Sequence, residues 1–176
     1  FATKFLPTQI IAILEKNNIK AIATGLEFGT ITALINSTHF EITTLRQDNE
    51  NNGRHCKPEF VDDYYLDAAR RDFTINALYL DESGKIYDYF NGIADLKNHQ
   101  VKFIGNANDR INEDFLRILR FFRFSARFSQ SLDNEGIKAC ISNKNNIKNL
   151  SKERIKDELT KILNDIEKGV VAASGS

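Results

Sequence analysis

Arg70-Arg71-Asp72-Phe73-Thr74-Ile75-Asn76-Ala77 brings two fixed cations, a carboxylate, an aromatic ring and two small polar groups into eight residues. That mixture suits a nucleoside triphosphate. Guanidinium groups form forked hydrogen bonds with phosphate oxygens, a carboxylate accepts from ribose hydroxyls, and a rigid ring anchors both from beneath. The competing reading is structural: a helix end with surface arginines and a core phenylalanine.

Outward from this stretch, Asp62 to Arg71 reads as a helix with acids at its start and arginines at its end, which suits the helix dipole. Ala77–Asp81 and Lys85–Tyr89 form a hairpin around Glu82-Ser83-Gly84. Asn91 to Asn98 is a turn and short helix, and Val101 to Ile104 a last strand. On the other side, Pro7 opens a helix reaching about Asn17, with Ile10, Ile11, Ile13 and Leu14 as its apolar positions. Three strand-like runs follow, Ile19–Ala23, Phe28–Ile35 and His39–Leu45, joined by Thr24-Gly25 and Asn36-Ser37. The polar stretch Gln47 to Pro58 is expected to be a mobile loop. From Glu113 onward the pattern is helical, over roughly 113–128, 132–142 and 151–167. The fold class is therefore α+β, a small mixed unit followed by an all-helical one. The expected segments are 1–112, 113–168 and a tail, 169–176, that is disordered or an expression remnant.

Composition narrows the classes. The 176 residues carry 24 Lys plus Arg and 24 Asp plus Glu, so any RNA contact must come from local patches rather than a global basic field. The 41% hydrophobic content, with 13 Phe, supports a packed core. No apolar run approaches the roughly 18 residues of a membrane span, and no signal peptide is visible. Cys56 and Cys140 lack metal-ligand spacing, and His55 beside Cys56 does not complete a zinc site. Free thiols suggest a cytoplasmic protein. The opening at Phe1 and the lack of methionine read as a piece of a longer chain.

A second constellation lies in Glu113–Phe128. On one helix, Arg117, Arg120, Arg123 and Arg127 fall within an arc of roughly 120°. Phe115, Ile118, Leu119, Phe122 and Ala126 form the opposite, core face. Asp114 and Arg117 are three apart and would project side by side, offering an acceptor and donors to a base edge. An ion pair on a solvated basic stripe is the plainer alternative from spacing alone.

The string at 70–77 resembles, almost letter for letter, the ribose-recognition motif of class II tRNA nucleotidyltransferases and bacterial poly(A) polymerases. Glu113-Asp114-Phe115-Leu116-Arg117 is similar to that family's base-selecting motif, EDxxR. Asp88-Tyr89-Phe90-Asn91-Gly92-Ile93-Ala94-Asp95-Leu96 resembles its inter-domain hinge, and Leu150-Ser151-Lys152-Glu153-Arg154-Ile155 its helix-stabilising motif, though an N-cap at Ser151 explains the latter equally well. Thr24 to Thr30 resembles its turn into a palm strand, and 47–58 its specificity loop.

The resemblance implies a polymerase-β-like nucleotidyltransferase palm, truncated, with a small mixed sheet and a helical neck. It implies template-independent addition of C and A from CTP and ATP to tRNA or other RNA 3′ ends. Arg70, Arg71, Asp72, Asn76 and Arg120 would serve nucleotide binding. Asp114 and Arg117 would read the base with Glu113 in support, and Asp88, Gly92 and Asp95 would form the hinge. It also implies Mg2+ held by a DxD pair, but no DxD occurs in these residues. Glu41 is the one weak candidate for a third carboxylate, and an exposed strand glutamate explains it better. The expectation is a nucleotide pocket without its catalytic metals, inactive alone. A poly(A) polymerase and a non-catalytic nucleotide- or RNA-binding remnant are the alternatives, and the oligomeric state is open.

Overall fold

The computed structural model describes residues 1–48 and 58–174, with side chains through Asp165. It is an α+β fold divided into two compact units, Phe1–Arg70 and Arg71–Ser176.

The first unit carries a four-stranded mixed sheet in the order β1-β4-β3-β2, built from β1 (Ala2–Thr3), β2 (Lys20–Gly25), β3 (Thr30–Ile35) and β4 (Thr38–Thr44). β1 runs parallel to β4, and the other pairs are antiparallel. Asn36 and Ser37 both take positive φ, 48° and 65°, so a two-residue turn joins β3 to β4 with the twist that tight hairpins need. Helix α1 (Pro7–Lys16) starts on Pro7, whose missing N–H costs nothing there, while Gln9 Oε1 accepts from Leu6 N at 2.8 Å. Its Ile10 and Leu14 pack on Ile31 and Ala33 of β3 to make this unit's core. The expected strand start at Phe28 is instead a 3-10 turn, Leu26–Phe28, ended by Gly29 at φ 80°. β5 (Arg46–Gln47) pairs with β6 (Glu59–Phe60), and α2 (Tyr64–Ala69) follows, capped by Asp63 through Tyr65 N. The loop expectation for 47–58 falls largely on 49–57, outside the described residues, as do His55 and Cys56.

The second unit opens with Asp72 and Phe73, a 3-10 turn (Thr74–Asn76) and the hairpin β7 (Leu78–Leu80) and β8 (Ile86–Asp88). At the hairpin tip the Asp81 carboxyl is held below its usual range by the Ser83 hydroxyl and then by the Lys85 backbone. Five helices follow: α3 (Gly92–Lys97), α4 (Ala107–Glu113), α5 (Leu116–Phe128), α6 (Asn134–Asn143) and α7 (Lys152–Ser174). Phe73, Val101, Phe103, Ile111, Ile118, Phe121, Ala139 and Cys140 form one buried core. This core explains why compact units divide at Arg70/Arg71 rather than near 112. Phe73 and Phe103, from the mixed α+β stretch, pack among the helices, with ring centroids 4.9 Å apart.

Four expectations need correction. Val101–Ile104 is not a strand. It makes a single bridge, Phe73 with Phe103, flanked by hydrogen bonds from Thr74 N to Lys102 O and from Ile104 N to Asp72 O. Helix α4 was not foreseen, although Asn106 caps it through Asn108 N and Asp109 N. The helix expected over 113–128 is broken at Asp114, whose extended backbone (φ −153°, ψ 109°) separates α4 from α5. The last helix runs past 167 to Ser174, through Gly169.

Candidate functional site

The first unit ends at Arg70 and the second begins at Arg71, so the motif's two arginines belong to different units. Arg70 closes α2, where its Nε and Nη2 both lie 2.9 Å from Asp67 Oδ1, the oxygen that also accepts from Arg46 N. Arg71 lies in the second unit. It donates from Nη1 to Asn76 O at 3.1 Å and holds its guanidinium 5.3 Å over the Tyr79 ring.

Asp72 is the centre of the motif. Its Oδ1 accepts from Phe73 N and Asn76 Nδ2, each at 3.0 Å, and its Oδ2 accepts from Arg120 Nε at 2.6 Å. A carboxylate has about four acceptor positions, so these three bonds leave one position open. Asn76 thus braces Asp72 through its side chain and Arg71 through its carbonyl. Phe73 is buried beneath, among Phe103, Phe121 and Phe124. The ring anchors the turn that presents the polar groups.

The segment expected to be a hinge locks that turn from the other side. Asp88 accepts from the backbone N–H groups of Phe90, Gly92 and Ile93, fixing the entry to α3. Asp95 accepts from Thr74 Oγ1 at 2.8 Å and from Lys102 Nζ at 2.9 Å. Gly92 lies so close that a Cβ there would overlap the Thr74 carbonyl oxygen and stand 2.8 Å from its carbon. Glycine is required at that position by close approach alone.

At the α4–α5 corner, Asp114 and Arg117 leave one turn, closed by Arg117 N donating to Asp114 O at 3.0 Å. Each side chain has partners of its own. Asp114 Oδ1 caps Leu116 N at 3.1 Å, and Oδ2 meets Arg154 Nη2 at 2.7 Å. Arg117 Nη1 pairs with Glu113 Oε2 and donates to Arg110 O at 2.9 Å, while Arg110 reaches the same Glu113 at 3.3 Å. The physical reason is the break at Asp114, which takes it off the helical spacing that would align it with Arg117. Sequence reasoning missed Arg154. Its signal was the Leu150–Ile155 string, which a helix-stabilising motif and an N-cap at Ser151 explain equally well without giving Arg154 a partner.

The arginine stripe of α5 is a row of internal ion pairs. Arg120 meets Asp72, Arg123 Nε lies 3.1 Å from Glu158 Oε1, and Arg127 approaches Asp165 at 3.8 Å. Glu158 is buried, with 2% of its side chain exposed, so Arg123 is tied deeply between α5 and α7. The core face is Ile118, Phe121 and Ser125. Phe122 and Ala126, expected inside, are exposed. Turning the face by about one residue moves Arg117 and Arg123 inward, where carboxylates meet them.

Among the described residues no group of three or more His, Cys, Asp or Glu could hold a metal ion. Glu41 is exposed on β4, and the Asp72 oxygens already accept from Arg120, Asn76 and Phe73 N. Among the described residues, this chemistry does not fit a catalytic Mg2+. Among the described residues no helix is long and apolar enough to cross a membrane.

Comparison with known proteins agrees with the geometry. Residues 1–102 match the family described as Poly A polymerase head domain, and residues 131–165 match one described as Probable RNA and SrmB-binding site of polymerase A. The chain is similar to mouse (Mus musculus) mitochondrial CCA tRNA nucleotidyltransferase 1, at 46% identity over 167 residues, covering 93% of this chain and 38% of that one. It is also similar to the CCA-adding enzyme of Lactobacillus delbrueckii subsp. bulgaricus, at 41% identity, covering 92% of this chain and 40% of that protein. The solved Bacillus stearothermophilus CCA-adding enzyme in complex with CTP superimposes with a TM-score of 0.82 at 31% identity, covering 92% of this chain and 38% of that one. The chain thus spans about two fifths of the length of the relatives it matches. With the head-family match extending over more than half of its residues, the chain belongs to the Poly A polymerase head-domain family.

Proposed function

We propose that this chain is the nucleotide-selecting part of a template-independent RNA nucleotidyltransferase that adds C and A, from CTP and ATP, to tRNA 3′ ends. The observation that carries the reading is the turn at Asp114, from which one carboxylate and one guanidinium emerge, each steadied by a partner of its own. Cytosine and adenine share an exocyclic amino donor, where uracil, guanine and thymine present a keto oxygen. A carboxylate accepts from the amino group, and a guanidinium donates to the adjacent ring nitrogen. Arg71, Asp72 and Asn76 would then receive the sugar and phosphates, with the remaining acceptor position of Asp72 on a ribose hydroxyl and Arg71 as the phosphate cation. Arg120 orients Asp72. The likeness to an enzyme solved with CTP supports this reading.

A poly(A) polymerase is the second reading, favoured by the descriptions of the two matched families. Nucleotide choice separates them. Competition binding of CTP, ATP, UTP and GTP to the purified chain tests the proposal. CTP and ATP competing for one site, with UTP and GTP weaker, is the expected result. Binding of ATP without CTP would replace the proposal with the poly(A) reading, and binding of neither would overturn it.

A further inference from the structure

We infer that Arg154 is a specificity-determining positioning residue, which keeps the Asp114 carboxylate turned so that amino-bearing bases are accepted and keto-bearing bases refused. The inference rests on the base-selection reading above and deepens it by adding a residue outside the turn. Asp114 lies in extended backbone between two helices, so regular helical spacing does not fix its side chain. Two anchors do: Leu116 N on Oδ1, at 3.1 Å, and Arg154 Nη2 on Oδ2, at 2.7 Å. Leu116 is two residues away and moves with the same corner. Arg154 is 40 residues distant and comes from another helix.

The place of Arg154 is itself secured. Its N–H donates to Ser151 Oγ at 3.3 Å in the first turn of α7, and α7 is fastened to α5 through the buried Glu158 and Arg123. The orientation of Asp114 is therefore referred to the neck helices rather than to its own corner.

The pair is poorly placed to serve stability. Side-chain exposure is 48% for Arg154 and 34% for Asp114, and such pairs contribute about 0–1 kcal/mol. It is well placed to govern selection. Two bonds leave about two acceptor positions on the carboxylate. A base amino group can donate to these, whereas a keto oxygen would face them acceptor to acceptor. Rejection of the keto base depends on Asp114 not turning away, and resistance to turning is what Arg154 supplies. Such a repulsive element gives specificity that attractive contacts alone do not.

The test is competition binding of CTP, UTP, ATP and GTP to the chain carrying Arg154→Gln, Arg154→Lys or Asp114→Ala, with thermal unfolding run alongside. Arg154→Gln should lower the CTP-to-UTP and ATP-to-GTP affinity ratios by about tenfold, the scale of one well-made base contact. Part of that change should be a gain in UTP and GTP binding, which general structural damage does not produce. Arg154→Lys should keep ratios within about threefold of the unmodified chain, because the contact is a single donor to a single oxygen. Ratios unchanged in Arg154→Gln but collapsed in Asp114→Ala would overturn the inference and leave base selection by Asp114 standing. Ratios unchanged in Asp114→Ala would overturn both. A uniform loss for all four nucleotides in Arg154→Gln would reduce Arg154 to a structural role and also overturn the inference.

Discussion

Asp72→Asn removes the negative charge at the centre of the motif while keeping its size. Asp72 is buried and accepts three hydrogen bonds, the shortest from Arg120 Nε at 2.6 Å. Asparagine offers one acceptor oxygen, and its amide NH2 must face a donor, either Arg120 or the Phe73 N–H and Asn76 pair. The charge-assisted bond alone is worth about 1.5–3 kcal/mol. For a chain of this length each kcal/mol moves the midpoint by about 2–4 °C, so a loss near 2 kcal/mol lowers Tm by about 4–8 °C. Asp165→Asn is the control. Its partner Arg127 stands 3.8 Å away with 60% of its side chain exposed, and an exposed pair of that kind contributes below about 0.5 kcal/mol. Urea and thermal denaturation followed by circular dichroism provide the assay. A double-mutant cycle with Arg120→Gln should show coupling of about 1–2 kcal/mol between positions 72 and 120. If Asp72→Asn behaves like Asp165→Asn, or the coupling is within error of zero, the Asp72–Arg120 link does not organise the motif and the reasoning fails.

Three other perturbations follow from the same geometry. Glu158→Ala removes the buried carboxylate that pairs with the half-buried Arg123 and should cost about 3–5 kcal/mol in urea denaturation; a loss below about 1 kcal/mol would show that α5 and α7 are not held by this pair. Gly92→Ala forces a Cβ against the Thr74 carbonyl and should destabilise by about 1–3 kcal/mol, measured the same way, whereas an unchanged midpoint would mean that the start of α3 does not press on the motif turn. Burial pushes the Cys140 thiol from 9.0 up to about 12, so the folded chain holds its proton more tightly than the unfolded one. The associated stability is complete below pH 9 and is lost as pH rises toward 12. Denaturation midpoints across that window should fall more steeply for the unmodified chain than for Cys140→Ala, and equal slopes would contradict the burial argument.

Much of the fold could be read from local signals because those signals were self-sufficient. Pro7 with its apolar spacing, the Asn36-Ser37 turn and the Glu82-Ser83-Gly84 hairpin each specify their element with a few adjacent residues. The errors arose where tertiary contacts decided. Val101–Ile104 has strand composition, yet Phe73 gives it only one bridging partner. Asp114 interrupts a continuous helical pattern by capping Leu116, a choice that helical periodicity does not reveal. The same break hid the true pairing at the site, since Glu113 takes Arg117 and a residue 40 positions later takes Asp114. The α5 arginines looked like a solvated stripe because their carboxylates, Asp72, Glu158 and Asp165, lie elsewhere in the chain. The turn at 70–77 was legible as a candidate site because it gathers two cations, a carboxylate and an aromatic ring within a few residues. Its reliance on Asp88, Gly92 and Asp95 was not legible, since nothing in the spacing points from one motif to the other.

The most direct measurement is a backbone amide NMR titration of the isotope-labelled chain with CTP, repeated with ATP and UTP. CTP and ATP should each shift the amides of 71–76 and 113–117, and displace one another at saturation. UTP should perturb the first group weakly and leave the second near its free position. Perturbations by CTP and ATP that spare both groups, or equal responses to all three nucleotides at 113–117, would contradict the assignment of this chain as a nucleotide-selecting unit.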